Sequence, residues 1–120
     1  MADAGSSNTP ASAPARALVT LVPASVRRGE PFEVRALVAH PMETGHRADA
    51  QGQRVPRDIV RRIECHLDGE LVFAADLHAA LAANPYLAFP LVVHGDGTLV
   101  VAWTGDRGFA HRVSVAIKPA

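Results

Sequence analysis

Between residues 40 and 58 the chain reads HPMETGHRADAQGQRVPRD, and the side chains most able to do chemistry crowd into that run. His40, Met42 and His46 put two imidazoles and a thioether within a few positions of one another. Soft sulfur beside imidazole suits copper. The donor count is thin, however. Met42 is the only methionine beyond the initiator, and His66, His78, His94 and His111 are scattered over separate segments. Zinc held by histidine alone fares no better, because the histidines lack the fixed helical spacing such sites use. The competing reading is that His40 ends a strand and His46 is solvated. A copper-binding sandwich using His40, Met42 and His46 is therefore the alternative, and no metal ligand is assigned.

Two further constellations invite a chemical reading. Arg47, Arg54, Arg57, Arg61 and Arg62 gather in and after the same run, and arginine pairs with carboxylates and oxyanions through a planar, bidentate fork. Asp49, Asp58 and Glu64 are interleaved with them and largely cancel the field, which leaves a salt-bridged surface or the polar rim of a protein interface. Cys65 lies between Glu64 and His66 and looks reactive when read linearly. Along a strand, neighbours point to opposite faces, so Cys65 shares its face with Ile63 and Leu67 and is expected to be a buried structural thiol. A nucleophile elbow, a zinc-protease motif and a phosphate-binding loop are all missing. No catalytic residue and no cofactor follow from these residues.

The elements that must position these groups are strands. ALVTLVP (17–23), PFEVRALVAH (31–40) and VRRIECHL (60–67) carry the alternation of half-buried β-structure, as do ELVFAADL (70–77), YLAFPLVV (86–93), TLVVAWT (98–104) and FAHRVSVAI (109–117). Asp68-Gly69 between two such runs is a strong hairpin signal. Gly29 suits a turn, Pro90 suggests an edge strand or a bulge, and the alanine-rich stretch 78–84 could form a helical turn. About seven strands at hairpin-like spacing, without a long amphipathic helix, predict an all-β, immunoglobulin-like antiparallel β-sandwich. Strand 98–104 is apolar on both faces, which points to a central position, a partner face, or cover by the 78–84 turn.

Composition bounds the function. The chain has 120 residues, enough for one domain, and is 48% hydrophobic and 20% charged. Lysine plus arginine number 12 and so do aspartate plus glutamate, so the formal net charge is zero and the basic excess of a nucleic-acid binder is missing. A single cysteine excludes an internal disulfide framework. Residues 1–16, rich in alanine, serine and proline, are expected to be a disordered leader without the features of a secretory signal, and residues 17–120 the folded domain. No apolar run is long enough to insert into a membrane.

Several stretches in register resemble the SoxZ family of bacterial sulfur oxidation. HPMETGHRADAQGQRVPRDIV (40–60) resembles its signature segment after the second strand, and CHLDG (65–69) its hairpin. ANPYLAF (83–89) and WTGDRG (103–108) follow in order, so the resemblance spans about residues 17 to 117. It marks Met42, Glu43, Gly45, Arg47, Asp49, Pro56, Arg57, Asn84, Pro85, Tyr86 and Trp103 as signature or partner-interface candidates. It also implies a non-catalytic subunit that forms a heterodimer with SoxY, the subunit whose glycine-flanked cysteine carries the sulfur intermediates. The sulfur-oxidising enzymes would meet the complex transiently. A periplasmic location reached by export together with a signal-bearing SoxY is implied too. The end VSVAIKPA lacks a glycine-flanked cysteine, so the chain resembles the Z half and not the Y half. His46, Ala48 and His78 fall at positions that vary and receive no role.

Overall fold

The computed structural model describes residues 17–78 and 82–120. Seven strands make up the architecture: β1 (Ala17–Val22), β2 (Phe32–Val38), β3 (Val60–Leu67), β4 (Glu70–Asp76), β5 (Tyr86–Leu91), β6 (Gly97–Gly105) and β7 (Ala110–Ile117). They form two antiparallel sheets, one ordered β1-β2-β5 and the other β4-β3-β6-β7. The all-β sandwich expected from the alternation is the observed fold. The helical turn expected over 78–84 lies mostly on residues outside the described set, and residues 82–85 contain only bends.

Alternation decides which side of each strand is dry. In β2, Phe32, Val34, Ala36 and Val38 point inward and are buried, while Arg35 and Leu37 face out. The opposing sheet supplies Ile63 and Cys65 from β3 and Leu99, Val101 and Trp103 from β6, all buried. Phe73 of β4 stacks on Phe89 of β5 across the gap, with ring centroids 4.2 Å apart and planes within 2°. A bulge helps: Cys65 pairs with Phe73 but His66 with Leu71, so Val72 is the extra residue on β4.

The turns follow their residues. Asp68 and Gly69 both take positive φ (49° and 86°), the conformation a two-residue hairpin of primed type needs. Pro90 sits in β5, an edge strand, where a missing N–H leaves no gap in a central ladder. The connections β2–β3, β4–β5 and β6–β7 all lie at one end of the sandwich, because β2, β4 and β6 end there and β3, β5 and β7 begin there. The candidate residues 40–58, 84–86 and 103–108 are thereby brought to one place.

Candidate interaction site

The segment 40–58 crosses from one sheet to the other, but it is not an open loop. Glu43 and Asp58 exchange two backbone hydrogen bonds of 2.8 Å each, and Val55 N–H donates to Arg47 O at 2.8 Å. The tip is closed by Asp49, whose backbone N–H donates to Gln53 O at 2.7 Å. Its carboxylate accepts from the N–H groups of Gln51 and Gln53 at 2.9 Å each. The chain doubles back on itself as an irregular two-legged ladder. Gly45 and Gly52 both take positive φ, and at Gly45 space matters as well: a Cβ there would lie 3.1 Å from Arg57 Cβ.

The base of the ladder is held by residues that looked like ligands. Met42 is 4% exposed with φ of 53°, and its Sδ accepts a hydrogen bond from Val60 N–H at 3.3 Å. His40 is 6% exposed, and its Nδ1 accepts from Met42 N–H at 3.0 Å. An accepting Nδ1 places the proton of the neutral ring on Nε2, which lies 3.6 Å from Asp58 Oδ1. The ring also meets Phe109 edge-on, with centroids 4.8 Å apart. His46 is exposed. The lone pair of His40 Nδ1 and the sulfur of Met42 are thus already engaged by backbone N–H groups. Among the described residues no group of three or more His, Cys, Asp or Glu side chains is arranged to hold a metal.

Two bidentate arginine pairs fix the legs. Arg47 reaches Glu43 through Nε at 3.1 Å and Nη2 at 3.0 Å, and hydrogen bonding to that guanidinium holds the Glu43 carboxyl below its usual range. Arg57 grips Asp106 of the β6–β7 turn, with Nε and Nη2 each 2.8 Å from a carboxylate oxygen. Asp106 also accepts from Ile59 N–H at 3.2 Å and donates its own N–H to Ile59 O at 2.9 Å. Sequence reasoning marked the WTGDRG turn through Trp103 and missed Asp106, the residue that ties the crossing segment to the neighbouring turn.

Burial opposes ionisation of Asp106, but the Arg57 guanidinium and the Ile59 N–H outweigh it and hold the carboxyl below its ordinary value. A depressed carboxyl stabilises the fold above its unfolded pKa, and that contribution disappears as pH falls through the folded value. Asp106→Asn should therefore flatten the acid-side dependence of melting temperature below about pH 4. Parallel slopes for variant and wild type would show that the pair adds nothing.

The remaining candidates separate into two groups. Asn84, at φ of 54°, clamps the end of β2: its N–H donates to His40 O at 2.7 Å and its Oδ1 accepts from His40 N–H at 2.9 Å. Pro85 is buried and its carbonyl accepts from Val38 N–H at 3.3 Å, and Trp103 is buried in the core. Pro56 and Tyr86, by contrast, face outward. An open cleft of about 590 Å³ beside the ladder is lined by Arg57, Arg61, Arg62, Asp76, His78 and Thr104 among others. Its arginines are mostly neutralised: Arg57 by Asp106, and Arg62 by Glu64 at 2.7 Å and Asp76 at 2.8 Å. The cluster is a salt-bridged surface rather than an anion cradle.

Cys65 is fully buried, and burial pushes its thiol up to about 12. Raised from an ordinary value of 9.0, the thiol has about a thousandfold less thiolate at neutral pH. A native chain should resist alkylation at pH 8 and react at once after unfolding; a native rate near that of a free thiol would contradict this burial. Cys65→Ser should cost about 1–3 kcal/mol in a denaturation titration, because a hydroxyl replaces a thiol in an apolar pocket.

Two antiparallel sheets face to face, with a signature segment bracing one end, define an immunoglobulin-like β-sandwich whose conspicuous polar groups serve shape. The chain matches the family of the sulphur oxidation protein SoxZ over residues 19–116, and it belongs to that family. It is accordingly a subunit of a Sox sulfur-oxidation system. Among solved structures, the superoxide reductase (neelaredoxin) from Ignicoccus hospitalis matches with a TM-score of 0.65 at 20% identity, covering 87% of this chain and 80% of that one. Two variants of that reductase match with TM-scores of 0.63 and 0.64, each at 20% identity over 87% of this chain and 79% of theirs. At that identity the likeness is one of fold alone. No curated protein matches the chain.

Proposed function

We propose that this chain is the non-catalytic half of a heterodimeric carrier. It pairs with a SoxY-type subunit and holds that subunit so that its cysteine-bearing arm can present covalently bound sulfur intermediates to the sulfur-oxidising enzymes. The observation that carries the reading is the use made of the signature segment. Within a chain that matches SoxZ over residues 19–116, His40, Met42, Asp49, Arg57 and Asn84 are each bound within the fold, where they set shape. Groups engaged in this way suit a rigid mount better than a reaction centre. The complex belongs in the periplasm, reached by export together with the partner. No helix among the described residues is long and apolar enough to cross a membrane.

Co-expression with a SoxY-type subunit followed by size-exclusion chromatography tests this directly. The two chains should elute together at micromolar concentration, and separate elution would sink the proposal. Copper titration tests the rival reading: a stoichiometric complex lost in Met42→Leu would replace a pure scaffold with a copper binder.

A further inference from the structure

The outer face of the β1-β2-β5 sheet breaks the rule that solvated strand positions are polar. The middle of that face carries no large hydrophobe: Thr20, Arg35 and Ala88 stand in one cross-strand row. In the adjacent row toward the signature segment, Leu18 pairs with Leu37 and Leu37 pairs with Tyr86. All three are open to solvent, at 60%, 36% and 55% exposure. Single exposed hydrophobes are ordinary, but large ones aligned across every strand of a sheet form a continuous patch. The opposite sheet has no equivalent. On its outer face Val100 and Ala102 of β6 are half-covered, and their cross-strand neighbours are His66, Glu64, Ser114 and Arg112. Leu71 is the one large exposed hydrophobe there among the described residues.

We propose that the Leu18–Leu37–Tyr86 row is the surface on which the SoxY-type partner docks, an inference that rests on the heterodimer proposed above. The chemistry of the occupant follows from charge. Among the described residues, Glu33 and Arg35 are the charged ones on this face, and they neutralise each other through a 2.6 Å contact. The described residues of this face therefore offer no net charge to a phosphate or an anionic lipid headgroup, and they fit the neutral, apolar surface of a folded subunit. Tyr86 supplies the kind of amphipathic aromatic anchor that dominates such interfaces. Its position is set from behind: the Asn84 clamp on His40 fixes where β5 begins, so the signature end of the sandwich also orients the patch.

The test uses the full chain with its SoxY-type partner and the variants Tyr86→Glu, Leu37→Glu and Leu71→Glu. Because each site is exposed, each variant alone should melt within about 3 °C of wild type. Tyr86→Glu and Leu37→Glu should weaken partner binding by about 30-fold or more, whereas Leu71→Glu on the other sheet should bind as wild type does. Wild-type affinity in Tyr86→Glu together with loss in Leu71→Glu overturns the location but leaves the heterodimer standing. A wild-type chain that binds no SoxY-type subunit removes both. Self-association of the wild-type chain that Tyr86→Glu abolishes, with partner binding intact, would assign the row to a second copy and overturn the proposal.

Discussion

Trp103→Ala should cost about 3–5 kcal/mol of folding stability, the range for removing a large aromatic from a packed core. The indole is 1% exposed and belongs to β6, which is bonded on one side to β3 and on the other to β7. It pairs with Ile63 and His111 across those ladders, so a cavity there opens between three strands at once. Sheet ladders cannot close in to fill it without breaking register, and the void persists. Against a domain stability of about 5–15 kcal/mol, such a loss is a large fraction of the total. In urea titration the midpoint should fall steeply with the slope unchanged, because the native sandwich still forms. Trp103→Phe, which keeps most of the volume, should recover more than half of the loss. A Trp103→Ala cost below about 1 kcal/mol would mean that the ring is not packed as described.

Much of the fold was legible because period-two patterning and turn chemistry are local. Phe32, Val34, Ala36 and Val38 announce their buried face without reference to any other strand, and Asp68-Gly69 announces its hairpin. Gly45 and Gly52 suit turns by residue type, and both carry positive φ. What stayed hidden depends on pairing. Leu18, Leu37 and Tyr86 are unremarkable within their own strands, and only the register of three strands lines them up. Strand 98–104 drew attention for the opposite reason: it is apolar on both faces, yet its outward residues lie among charged and small neighbours. Asp106 was invisible as an anchor because its partner Arg57 is 49 positions away. His40 and Met42 looked like metal donors because residue type reveals what an atom can bind and not what already binds it.

Gly105→Ala should be the most damaging small change at the signature end, costing about 2–4 kcal/mol through overpacking and broken hydrogen bonds. The reason is space, not backbone freedom, since Gly105 has an extended conformation that any residue adopts. An added Cβ would collide with the carbonyl oxygen of Ile59 and lie 2.9 Å from Val60 Cα. Both obstacles are backbone, so neither can swing aside as a side-chain tip would. Relief requires moving the start of β3 away from the β6–β7 turn, and that contact includes the two hydrogen bonds between Ile59 and Asp106 and the Arg57–Asp106 fork. Gly108 is the matched control. It has φ of 74°, and a Cβ added there would meet nothing within 4 Å, so Gly108→Ala should cost only about 1 kcal/mol of backbone strain. Limited proteolysis separates the two further: Gly105→Ala should open the arginine-rich ladder of residues 47–57 to trypsin, while Gly108→Ala should leave it closed. Equal costs and equal cleavage would mean that the crossing segment is not braced against the turn, and the signature end would then have no fixed shape for a partner to meet.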